Sequence, residues 1–294
     1  MRGMSRTGFL SMALSAVLLS ALSGIAMAEE SKPAQAKTEI VTTKNVAIEV
    51  LVEGKGPAVV LLPSQGRDSY GDYDQLSKTL AADGFKVLRP QPRGIGKSVG
   101  PMKGVDLYDF AEDVANVIDA LGDKRAVVAG HAYGHFVARM TATRYPEKVR
   151  GVVVAAGSAS DTAERNPLVW WAPDFAGNLS LPDEQRLAAL KGAFFAKGHD
   201  ATGWLKGWYP EVTAMQSEKP VPRKVWWAAG TAPILEIIPE EDPFKPRDRW
   251  DELRKQLGER VTTVTVPNAS HALMPEQPAA VAEAISKWAH DLPK

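Results

Sequence analysis

A mostly parallel β-sheet with helices on both faces, interrupted by a helical insertion, is the α/β architecture this sequence predicts. Three observations carry that expectation. Short apolar runs alternate with amphipathic helical segments from about residue 46 to 157. The alternation then stops, and it resumes from about residue 230 to the end of the chain. The stretch between is rich in tryptophan and broken by prolines. Strand–helix alternation over such a length points to parallel strands, because a parallel neighbour needs a long crossover, usually a helix.

The elements follow in order. Glu39–Thr43 and Val46–Val52 are β-rich. Ala58–Leu62 is a continuous apolar run between Gly56-Pro57 and Pro63, which suits a strand buried on both faces. A helix is expected over Tyr73–Ala82, closed by Gly84, with the next strand at Phe85–Leu88. Apolar residues at 107, 110, 111, 114, 117, 118 and 121 give Val105–Leu121 helical spacing, and Gly122 sits at its end. Arg125–Gly130 reads as a strand, Tyr133–Tyr145 as a helix and Val149–Ala156 as a strand. After the insertion come strands at Pro233–Ile238 and Val261–Val266, and helices at Arg247–Leu257 and Pro278–His290. The sheet core therefore spans 39–157 and 230–294. Residues 158–229 form the insertion, which holds six of the eight tryptophans: Trp170, Trp171, Trp204, Trp208, Trp226 and Trp227.

Composition narrows the function classes. Hydrophobic residues at 45% and charged residues at 24% are ordinary for a globular protein of 294 residues. Thirty-five basic residues balance thirty-five acidic ones, so there is no electrostatic footprint for nucleic acid. Residues 1–28 read as a signal peptide: Arg2 and Arg6 precede an apolar stretch from Phe9 to about Ile25, and Ala26-Met27-Ala28 supplies a small-x-small cleavage pattern. A periplasmic or secreted protein without a stable membrane anchor is expected, beginning with a flexible polar segment over 29–38. The chain has no cysteine, which excludes disulfides, cysteine metal sites and a cysteine nucleophile.

The chemistry centres on Gly130-His131-Ala132-Tyr133-Gly134, between a predicted buried strand and a predicted helix. It matches the G-x-S-x-G nucleophile elbow, with Ala132 at the serine position. In such an elbow the glycines permit a sharp turn, and the central residue takes strained backbone angles that aim its side chain into the site.

Further segments make the chain resemble the α/β-hydrolase superfamily from about residue 46 to 290. Leu61-Leu62-Pro63-Ser64-Gln65-Gly66 stands where that family carries its oxyanion loop, and Pro90–Ser98 resembles its Arg-Gly-x-Gly-x-Ser segment, with Gln91 replacing an aspartate. Pro239-Glu240-Glu241-Asp242-Pro243 follows the penultimate strand, where the family carries its acid. Ser270-His271-Ala272 follows the last strand, where it carries its histidine. The resemblance implies a helical cap over 158–229, a catalytic pair of His271 and Asp242, and oxyanion donors in the backbone N–H groups of Tyr133 and Gln65. Glu240 and Glu241 compete with Asp242 for the acid role. His135 in the first turn of the helix is a possible pocket residue, as are Trp170, Trp171, Trp204 and Trp208. Their aromatic density implies an apolar or aromatic small-molecule ligand. Arg67 and Asp68, in the loop after Gln65, are either plain turn residues or reach the pocket mouth.

Two other patterns are set aside. Gly96-Lys97-Ser98 would end a phosphate-binding loop only with glycine at 91, where Gln91 stands. His131 and His135 lack the glutamate of a zinc helix and straddle a strand–turn–helix junction, so no metal and no cofactor are expected.

Alanine has no attacking atom, which closes the acyl-enzyme route. A His–Asp pair beside oxyanion donors retains the means to activate water against an ester, a lactone or another activated carbonyl, or to abstract a substrate proton. The expectation is hydrolysis by this dyad. The alternatives are a catalytically inactive small-molecule binder and a serine hydrolase whose nucleophile has been replaced.

Overall fold

The computed structural model describes residues 36–159 and 166–293. The expected signal peptide and most of the 29–38 segment lie outside the described residues, as do positions 160–165 of the insertion.

Eight strands form one sheet: β1 (Lys37–Thr42), β2 (Ala47–Gly54), β3 (Ala58–Leu62), β4 (Lys86–Pro90), β5 (Ala126–His131), β6 (Val149–Ala155), β7 (Ile234–Pro239) and β8 (Val261–Val266). Their order is β1-β2-β4-β3-β5-β6-β7-β8. β1 and β2 pair antiparallel, as do β2 and β4, and every pairing from β4 to β8 is parallel. The parallel strands are joined by α1 (Asp74–Ala82), α2 (Leu107–Leu121), α3 (Gly134–Arg144) and the later helices. Two antiparallel pairings at one edge, with β2 alone reversed, and a parallel remainder give the mostly parallel sheet that the alternation predicts.

The central strand β3 is apolar and buried along its whole length because it serves two faces. In β3, Ala58, Val60 and Leu62 join the core against α2 and α3, while Val59 and Leu61 join the core on the opposite face. Residues two apart share a face in an extended strand, so a five-residue apolar run feeds both. Phe110, Val114 and Ile118 of α2 cover the first face. Leu76 and Leu80 of α1 cover the second, with Val281 and Ile285 of the C-terminal helix. The N-terminus of α2 is fixed by a capping box: Asp106 accepts from Tyr108 N–H, and Asp109 accepts from Asp106 N–H.

Between β6 and β7 the described residues are helical: α4 (Pro167–Gly177), α5 (Asp183–Ala193), α6 (Pro210–Ser217) and α7 (Arg223–Trp226). Phe194, Phe195, Leu190 and Trp204 form a separate apolar cluster there, joined by Ala272 from the loop after β8.

The remaining helices are α8 (Glu252–Leu257), α9 (Leu273–Glu276) and α10 (Pro278–Asp291). The expected helix over Arg247–Leu257 is in fact two pieces. Arg249 and Trp250 N–H groups bond three residues back, to Pro246 and Arg247, giving a 3₁₀ turn before α8 begins. The Trp250 indole N–H donates to Lys245 O, which turns the chain at that point.

Candidate active site

The elbow has the geometry its motif demands. Ala132 takes φ +47°, left-handed for a residue that carries a Cβ. It follows β5 directly, and α3 starts two residues later. A Cβ on Gly130 would lie 2.2 Å from the backbone of Gly134 and His135, and one on Gly134 would lie 2.5 Å from Leu62 O. Glycine is therefore required at both positions by close backbone approach. The Ala132 N–H is spent on Ala155 O at 2.9 Å, whereas the N–H groups of Tyr133 and Gln65 have no acceptor among the described residues.

His271 lies between β8 and α9. Its Nδ1 is 3.0 Å from Asp242 Oδ2, and both residues are buried. Because a carboxylate accepts, the proton belongs on Nδ1 and the lone pair on Nε2, which has no partner among the described residues. The other carboxylate oxygen of Asp242 accepts from Phe244 N–H at 2.8 Å, and the Phe244 ring packs 4.0 Å from the His271 ring. The two competing acids, Glu240 and Glu241, are exposed, and the Glu241 carboxylate accepts from Lys197 N–H at 3.4 Å.

Two supports for His271 were not singled out from the sequence. His131, at the end of β5, bonds through Nε2 to the His271 carbonyl at 2.6 Å. That acceptor requires a proton on Nε2, so the ring is a neutral donor. Burial and the neighbouring His271 push its pKa down to about 3. Glu276 accepts from Ser270 N–H and from Ala196 N–H, each at 2.7 Å, tying the histidine loop to the insertion. Burial pushes its carboxyl above the usual range, and these two donors oppose that shift. The His131–His271 and Glu276–Ala196 bonds have no local signal, since they join residues 140 and 80 positions apart, whereas the Glu276–Ser270 bond spans six.

A cavity of about 800 Å³ is lined by Ala132, Tyr133, Gln65, His271 and His135, together with residues of the insertion. Its size falls within the usual range for small-molecule sites. Of the four expected pocket tryptophans, Trp170 and Trp208 line it and Trp171 and Trp204 do not. Trp170 and Trp171 are neighbours on α4 and point about 100° apart, and both are exposed, so helical phase and not burial separates them. Trp204 is buried in the insertion core, stacked 4.0 Å beneath the Arg67 guanidinium. Arg67 is itself buried, paired with Asp72 at 2.8 Å, and so is a packing residue. His135 is buried, its Nδ1 has no partner among the described residues, and burial holds its pKa well below the ordinary value.

A family model described as the alpha/beta hydrolase family matches residues 59–284. The chain belongs to the alpha/beta hydrolase family. Among its curated relatives, the AB hydrolase superfamily protein YfhM of Bacillus subtilis is 31% identical over 122 residues, which is 40% of this chain and 42% of that protein. Epoxide hydrolase B of Mycobacterium tuberculosis is 29% identical over 165 residues, 52% of this chain and 46% of that protein. The chain thus spans under half the length of either relative. The solved structure of Rv0554 from Mycobacterium tuberculosis superposes with a TM-score of 0.69 at 22% identity, covering 84% of this chain and 95% of that one. At that identity the likeness speaks for the hydrolase fold.

Within this hydrolase fold the described residues contain no cluster of three or more metal-ligating side chains. No described helix is long and apolar enough to cross a membrane.

Proposed function

We propose that this chain is an exported hydrolase that cleaves an ester or lactone of an apolar or aromatic small molecule, using water activated by His271 and Asp242. One observation carries the reading: the His271–Asp242 contact leaves Nε2 without a partner among the described residues, on a cavity also lined by Ala132, Tyr133 and Gln65, the last two with N–H groups that have no acceptor among those residues.

In this mechanism Nε2 takes a proton from water as the hydroxide oxygen bonds the carbonyl carbon. Asp242 steadies the resulting imidazolium. The carbonyl oxygen becomes an oxyanion and accepts from the Tyr133 and Gln65 N–H groups. Collapse of this intermediate breaks the bond to the alcohol oxygen, which recovers the proton from His271. The methyl of Ala132 leaves free the space a serine hydroxyl would fill, where the water is accommodated. A covalent intermediate at the elbow is closed, and that includes a carboxylate-ester route to epoxide opening. The strained φ at Ala132 supports an active site as well, since such conformations persist where the surroundings over-determine them.

The competing reading, binding without chemistry, is favoured by the missing attacking atom. A screen of aromatic and alkyl esters, lactones and epoxides separates the two. The dyad reading expects turnover that His271→Ala lowers by about 10²-fold or more. Turnover unaffected by His271→Ala refutes it. Absence of turnover together with ligand-induced quenching of tryptophan fluorescence would leave binding as the function. Ala132→Ser, run alongside, should add covalent esterase activity if the donors and the dyad are aligned.

A further inference from the structure

The loop after β3 and helix α6 are held together by an unusually complete set of bonds. The Gly66 N–H donates to Gln216 Oε1 at 2.8 Å, and Tyr209 N–H donates to Gly66 O at 2.8 Å. The Gln65 side-chain amide donates to Ser217 Oγ at 2.7 Å. A Cβ on Gly66 would fall 1.9 Å from Thr213 Oγ1, so α6 sits directly against the glycine backbone. Gly66 has φ +62°, and the Arg67 N–H bonds back to Ser64 O at 3.2 Å. Ser64–Arg67 is thus a four-residue turn whose third position requires glycine.

Thr213, Gln216 and Ser217 occupy positions i, i+3 and i+4, one face of the helix. Val212 and Met215 lie on an adjacent face and are buried in the core against the sheet. α6 is therefore anchored through one face and addresses the loop with the next.

Gln216 makes a second connection. Its backbone carbonyl accepts from Tyr133 Oη–H at 3.2 Å. Burial pushes the Tyr133 hydroxyl well above its usual range, so it stays a protonated donor. One residue of the insertion thereby bonds to both segments that supply the candidate oxyanion donors. The side chain holds the amide immediately after Gln65, and the main chain holds the side chain of Tyr133.

We infer that Gln216 is a positioning residue, which fixes the Gln65 and Tyr133 N–H groups relative to each other through helix α6 and so makes the insertion part of the oxyanion site. The inference rests on the reading of those two N–H groups as oxyanion donors. Thr213 and Ser217 also line the large cavity, so a ligand there touches the same helix that holds the donors.

The test uses the full chain with three variants. Gln216→Met keeps the side-chain length and removes the acceptor, and Gln216→Glu keeps the acceptor. Tyr133→Phe removes the second connection alone. Amide hydrogen exchange at Gly66 should rise tenfold or more in Gln216→Met, with global stability checked by urea titration, and return towards wild type in Gln216→Glu. Phenylphosphonate serves as an aromatic oxyanion probe, read by the amide shifts of Gln65 and Tyr133. Both amides should shift in wild type, with about tenfold weaker binding in Gln216→Met and a smaller loss in Tyr133→Phe. On any ester that wild type turns over, Gln216→Met should lower kcat with KM within about twofold. Unchanged Gly66 exchange and unchanged probe affinity in Gln216→Met would overturn the inference, as would a rise in KM alone. If the probe moves neither amide in wild type while Gly66 exchange still depends on Gln216, the oxyanion reading fails and Gln216 remains only a structural clamp.

Discussion

Removing the ammonium of Lys245 tests how the acid loop is held. Lys245 and Glu236 form an ion pair in which both side chains are almost wholly buried, Lys245 at 4% and Glu236 at 1% exposed. Glu236 is on β7, and Lys245 lies three residues after Asp242, its N–H donating to Asp242 O at 3.1 Å. The pair therefore pins the turn that presents Asp242. In Lys245→Met, Glu236 loses the Lys245 ammonium that donates to Oε1, and its second oxygen, Oε2, has no donor among the described residues to begin with. Breaking a buried pair costs about 3–5 kcal/mol. Arg139 also stabilises the Glu236 charge, which argues for the low end, about 3 kcal/mol.

The cost depends on pH in a defined direction. Burial already raises the Glu236 carboxyl above its ordinary value, and loss of Lys245 raises it further. A carboxyl with a raised folded pKa favours folding at low pH, where it is protonated in both states, and loses that stability as pH rises. The penalty should grow by up to about 1.4 kcal/mol per pH unit above the unfolded carboxyl value. Urea titrations of Lys245→Met at pH 5 and pH 8 read both the size and the slope. The double variant Glu236→Gln, Lys245→Met should recover a large part of that loss, since neither member of the pair is then left charged without the other, while the buried Arg139 keeps its bond to Trp227 O. A single-variant loss under about 1 kcal/mol at pH 8, or a penalty larger at pH 5, would refute the reasoning.

Two further outcomes follow from the same structure. Burial lowers the folded pKa of His131 to about 3 and that of His135 well below its ordinary value, so both stabilise the fold fully above about pH 6.5, and this is lost as pH falls below it. Urea titration at pH 7 and pH 5 should show His135→Phe losing less stability than wild type over that interval, by roughly 2 kcal/mol; identical losses would contradict the assignment. Gly130→Ala places a Cβ 2.2 Å from backbone atoms of Gly134 and His135, which cannot rotate away, and should cost about 3 kcal/mol or more, read by thermal unfolding.

Much of the site is legible residue by residue. The elbow is visible because Gly130 and Gly134 flank Ala132 at fixed spacing between an apolar run and a helix, and local backbone sterics dictate that pattern. Asp242 and His271 are visible because each follows a strand at the end of the sheet where parallel topology collects loops. The choice among Glu240, Glu241 and Asp242 was not local: only the turn after β7 buries the third and exposes the other two. The tryptophans show the same limit. Composition indicated an aromatic insertion, but the helical phase of Trp170 and Trp171, and the Arg67 guanidinium that Trp204 stacks beneath, decided which of them face the cavity.

The amino-acid sequence by itself determined the sheet, its crossover helices and the loss of the nucleophile, because period, glycine spacing and the absence of an attacking atom are properties of neighbouring residues. Tertiary structure alone decided how the site is braced. His131 on the His271 carbonyl, Glu276 on Ala196 and Gln216 on Gly66 join positions 80 to 150 residues apart. Hydrogen bonds of that range leave no periodic trace in a single chain, since the partners become neighbours only when the sheet and the insertion close around them.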